Sequence, residues 1–145
     1  MTGYIVQTFM AGIASLGFAL LYNVRGKRLF VPFIGGIVSW ALYLTLAFLN
    51  NEILQCFIVT IFLSLYTEIA ARIVKTPTTT FLVPNIIILI PGGSLYFTIS
   101  SAIQGKWLNF VIKGKETIFI AGAIAAGIMI VSSMFKIIYY LRKSN

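Results

Sequence analysis

The chain has 145 residues, 59% of them apolar and 10% charged, with eleven basic side chains against three acidic ones and a net charge of +8. So few ionisable groups cannot wet the surface of a soluble fold of this length, and the composition reads as an all-α integral membrane protein. The basic residues fall in short clusters between apolar runs, which suits membrane orientation rather than nucleic acid. With no His, no Asp and the single Cys56, His-based zinc sites, Ser-His dyads, aspartyl chemistry and an internal disulfide are excluded, and neither a metal, a cofactor nor an enzyme is expected.

The first span is expected over residues 4–22. It lacks the charged lead and the cleavage site of a signal peptide, and Arg25, Lys27 and Arg28 after it place its C-terminal end inside and the N-terminus outside. Gly12, Ser15 and Gly17 are small enough to admit a neighbouring helix. The second span, 29–49, carries Pro32 in its first turn, where a missing N–H costs least, and Gly35 and Ser39 four apart. Asn50, Asn51 and Glu52 make an outer turn. The third span covers 53–71 and ends at Arg72 and Lys75. Within it Glu68 stands about one turn from the interface, on the same face as Arg72 four residues on, so it reads either as a structural ion pair or as a proton-coupling group.

The stretch 75–96, KTPTTTFLVPNIIILIPGGSLY, sets helix breakers inside a membrane-length apolar run. Thr76 before Pro77 has the form of an N-cap and first helical position, and Thr78, Thr79 and Thr80 could line a cytoplasmic mouth. Pro91-Gly92-Gly93 divides the fourth span, 81–103, into pieces over 81–90 and 94–103, each about half the ~20 residues of an unbroken span. Broken backbone survives in hydrocarbon only where it is buried or lines a wet cavity, so the break reads as a site. Free N–H groups near Gly93 and Ser94 would hold a carboxylate at the start of a half-helix, and carbonyls around Leu89 and Ile90 would accept from an ammonium group, a pairing suited to a zwitterion.

Residues 104–116 mix Lys106, Trp107, Phe110, Lys113 and Lys115 and read as an interfacial surface loop. The last span, 117–140, pairs Gly122 with Ala126 and Ala123 with Gly127 for close helix contact, and Lys136, Tyr139, Tyr140, Arg142 and Lys143 anchor its end at the lipid interface. Charge counting leaves two topologies open, with 81–103 crossing the membrane or forming a re-entrant hairpin.

The run from Glu68 to Tyr96, E-x-x-A-R-x-x-K-T-P-T-T-T-F-L-V-P followed by I-P-G-G-x-L-Y, resembles the small-subunit half of the threonine/serine exporter family. The resemblance implies a five-span domain in a bacterial plasma membrane, fused to or working beside a second membrane half, that exports threonine and serine or, in some bacteria, succinate. It implies a small-molecule substrate and allows a higher oligomer. Where the family pattern P-G-I-x-P-L-V-P-G is expected, this chain has Pro84-Asn85-Ile86 and Ile88. The first half-helix should therefore be more regular, and Asn85 adds an amide at depth that could alter substrate choice. On these grounds Asn85, Thr78, Thr79, Thr80, Pro91, Gly92, Gly93 and Ser94 form the candidate substrate site. The rival reading is a non-transporting scaffold or regulatory subunit. A transporter half should bring polar residues of the broken segment together with Glu68 on a common cavity, whereas a scaffold should bury them singly.

Overall fold

The computed structural model describes the backbone of residues 2–143 and the side chains of residues 3–141. The described residues form six α-helices: α1 (Thr2–Leu21), α2 (Phe30–Thr45), α3 (Glu52–Val74), α4 (Thr79–Ile86), α5 (Gly92–Ile103) and α6 (Trp107–Lys143), with 3-10 turns at Gly26–Leu29, Leu46–Leu49 and Ile87–Leu89. Among the described residues there is no strand. Four segments are each long and apolar enough to cross a membrane, and α4 with α5, bent by 56° at the break, would make a fifth.

Small residues decide how the helices approach one another. A Cβ on Gly36 would meet the Ala11 carbonyl oxygen at 2.8 Å and Gly12 Cα at 3.1 Å, so α1 and α2 touch almost backbone to backbone. In hydrocarbon this close contact supplies the packing that water drives elsewhere. α6 buries Ile120, Ile124, Gly127 and Val131, a helical stripe, against α3, and a Cβ on Gly127 would lie 3.1 Å from Thr60 Cβ. By contrast Gly17 and Gly122 face open space. α3 is closed at its start by Asn51, whose side chain accepts from Leu54 N at 3.1 Å, and at its end by Lys75 in the left-handed region.

α3 and α6 run parallel. Lys113 and Glu116 of α6 share a cavity with Glu52 at one end of α3, and the Arg72 guanidinium at the other end lies 4.1 Å over the Phe135 ring. The broken segment starts at the Arg72 end, where Thr78 and Thr79 stand beside Glu68, and reaches its break at the Glu52 end.

Three local expectations are corrected. Residues 107–116 are not a loop but the first turns of the 37-residue α6. The chain turns only around Gly105, at a φ of +70° that favours glycine, with Lys106 N donating to Ser101 O at 2.9 Å. The helix then continues because Lys113 and Glu116 pair at 2.7 Å and Gly114 lets Thr98 of α5 pack against it. Thr76 is not an N-cap: its hydroxyl is buried without a partner, and the helical turn opens instead with Thr80 N donating to Pro77 O. Nor is the first half-helix regular. It is α-helical only as far as Ile86, with Pro84 inside it, and tightens to 3-10 over Ile87–Leu89.

Candidate site at the helix break

A cavity of about 360 Å³ opens at the break. Its walls are Pro91, Gly92, Gly93 and Ser94 on one side, Trp40 and Tyr43 of α2, Glu52 and Cys56 of α3, and Lys113 and Glu116 of α6. The second half-helix begins at Gly92, two residues earlier than the expected 94. Ile90 is extended, and Gly92 N closes a tight turn onto Ile90 O at 2.7 Å, so the chain changes direction before the helix restarts. Leu95 N is the first amide bonded to the new helix, at Pro91 O. The N–H groups of Gly93 and Ser94 belong to the first turn, where no helical carbonyl is available to them.

Both signs of charge line the same cavity as these amides. Glu116 is tied to Lys113, while Glu52 receives only the Tyr43 hydroxyl at 3.3 Å. Trp40 stacks on Tyr43 with ring centroids 5.2 Å apart, and its indole N–H is buried with no partner. The cavity thus combines donors for a carboxylate with an under-used carboxylate for an ammonium group.

At the opposite end Glu68, Arg72, Thr78, Thr79, Ser132 and Lys136 border a cavity of about 540 Å³. Arg72 Nη1 donates to Glu68 Oε2 at 2.7 Å and to the Glu68 carbonyl at 2.9 Å. Lys136, Tyr139 and Tyr140 also border this cavity, whereas the side chains of Arg142 and Lys143, expected with them in the anchor, lie outside the described residues.

The expected site residues therefore divide. Pro91 to Ser94 converge at the break, and Thr78 and Thr79 converge with Glu68 and Arg72, so break and Glu68 do not share one cavity. Thr80 borders neither. Asn85 is fully buried against α1, accepting from Ser15 Oγ at 2.5 Å and donating to Phe81 O at 2.9 Å, and its amide fills the space beside Gly35. Sequence reasoning missed Trp40, Glu52, Lys113 and Glu116. The available signal was scarcity: in a chain with three carboxylates, a Glu at the start of a span and a Lys and Glu three apart warrant a partner search.

The sequence model of the family described as Threonine/Serine exporter, ThrE, matches residues 7–134. Comparison with curated proteins and with solved structures gave no match.

Proposed function

Because this chain belongs to the threonine/serine exporter family, a family of transporters, we propose that it is one membrane subunit of a secondary exporter that binds a small amino acid at the break in its fourth span. The observation that carries this reading is the composition of the break cavity. The Gly93 and Ser94 amides, at the positive end of α5, take the substrate carboxylate, and Glu52 takes the ammonium group. Alternation of access needs a second half. An odd number of spans starting outside is half of an inverted repeat, so the partner is a second membrane half, fused or separate, with its N-terminus inside, related by a pseudo-two-fold axis in the plane of the bilayer. The assembly resides in a bacterial plasma membrane, with lipid against its exposed apolar faces. Thr78 and Thr79 line its cytoplasmic mouth, beside Glu68 and Arg72.

A Glu52→Gln change tests the substrate class. In the purified complex with its partner, loss of one charge-assisted hydrogen bond, about 1.5–3 kcal/mol, should raise the Kd for threonine about tenfold to a hundredfold. Succinate, a second carboxylate where the ammonium would sit, should bind the variant no worse than the parent. Unchanged threonine affinity, or succinate binding that depends on Glu52, would sink the amino-acid reading.

A further inference from the structure

Two hydroxyls on α3 are unaccounted for. Thr60 and Ser64 are 0% and 1% exposed, and neither Oγ1 nor Oγ has a hydrogen-bond partner. A helical serine or threonine usually satisfies itself on the carbonyl four residues back, as Thr98 and Thr117 do here. Buried hydroxyls that forgo this option are uncommon and call for water or a ligand to explain them.

Their position supplies the explanation. Along α3 the residues Glu52, Cys56, Thr60, Ser64, Glu68 and Arg72 recur every fourth place, about 6 Å of helix rise apart. The first two border the break cavity and the last two the cavity at the Arg72 end. The two cavities share three walls, α3, the broken segment and α6, and α2 adds Trp40 and Tyr43 to the break cavity. Of the six residues along α3, Cys56 lies in the apolar core together with Val59 and Leu63, packed with Leu89, Ile120 and Ile124, whereas Thr60 and Ser64 are polar. At Thr60 itself the seam is shut, because Gly127 brings α6 into direct contact.

We propose that Thr60 and Ser64 are the polar steps of a translocation path, a passage for water and a small zwitterion that opens along the α3–α6 seam, joins the two cavities, and stands closed here at Gly127. The zwitterion rests on the reading of the break cavity as a substrate site. The passage rests on the seam alone.

In the complex with its partner, reconstituted in lipid nanodiscs and carrying Cys56→Ala, single cysteines at Thr60→Cys and Ser64→Cys should react with a small charged methanethiosulfonate at least tenfold faster than Val59→Cys and Leu63→Cys. Equal protection of all four overturns the path. With Cys56 retained, Thr60→Val should cut export of radiolabelled threonine at least tenfold, while threonine binding persists and thermal stability holds or rises as an unpaired hydroxyl is removed. Normal export by the Thr60→Val/Ser64→Ala double variant also overturns it. If threonine does not bind the parent complex, the substrate reading falls and the thiol comparison alone decides the path.

Discussion

The Asn85 amide is held from both sides, by Ser15 Oγ and by the Phe81 carbonyl, with no opening to either cavity. Asn85→Ala should therefore lower stability by about 1–3 kcal/mol, the range for leaving buried polar groups unmatched, while the ratio of threonine to serine affinity stays unchanged. Thermal unfolding and competitive binding on one preparation would check both halves, and a change in selectivity at parental stability would return Asn85 to the substrate site. Glu68 is a different case. Its side chain is 12% exposed and that of Arg72 is 49%, so with the guanidinium half open to solvent the pair is worth on the order of 1 kcal/mol or less. Glu68→Gln should melt like the parent, since Arg72 keeps the Glu68 carbonyl and the Phe135 ring. If Glu68 carries protons in export, the same variant loses pH-driven export and keeps threonine exchange. Parental export would leave it as an ion pair only. The residue types were legible in the sequence, and so was the Glu68–Arg72 pair, because i,i+4 spacing on one helix fixes who can meet whom. Asn85 was not, because its partner Ser15 lies 70 positions away.

Gly92 and Gly93 are helical residues of α5, and neither is among the glycines with positive φ. A Cβ on either would meet nothing within 4 Å. Replacing both with Ala should thus stabilise α5 by about 0.5–1 kcal/mol each and leave the bend in place, contrary to the idea that these glycines hold the gap open. What they provide is clearance at the cavity wall. Gly93→Leu should fill it and weaken threonine binding more than tenfold without lowering the unfolding temperature, and parental affinity in that variant would argue against the amides as a binding group. The existence of the break was readable from Pro91, since no helix can bond through a proline nitrogen. Its lining was not, because the start of α6 looked like a loop: Lys106, Lys113, Lys115 and Glu116 read as solvent-facing until Lys113 and Glu116 are seen to pair with each other at the rim of the break cavity.

At the scale of the molecule, the apolar runs made the all-helical, membrane-like character of the chain legible, whereas the parallel course of α3 and α6 depends on contacts that no local pattern encodes. That course bears on topology, since a hairpin returning to the Arg72 end would have set α6 antiparallel to α3. With Cys56 replaced, cysteines at Asn50→Cys and Lys106→Cys should label with a membrane-impermeant reagent in intact cells and one at Lys75→Cys should not. Shielding at Lys106→Cys would favour the re-entrant alternative. Ser144, the obvious tag for the C-terminal end, lies outside the described residues. The length of α6 has a mechanical corollary. One unbroken helix borders both cavities and meets α3 closely at Gly127, which leaves roughly 16 Å of rod from that contact to Glu116 and roughly 14 Å to Lys136. Treated as a seesaw with Gly127 as fulcrum, a tilt of about 10° moves the two ends roughly 2–3 Å in opposite senses, from the same helix dimensions. Widening one vestibule then narrows the other without any signal passing through side chains, so that widening both at once would require the rod to bend.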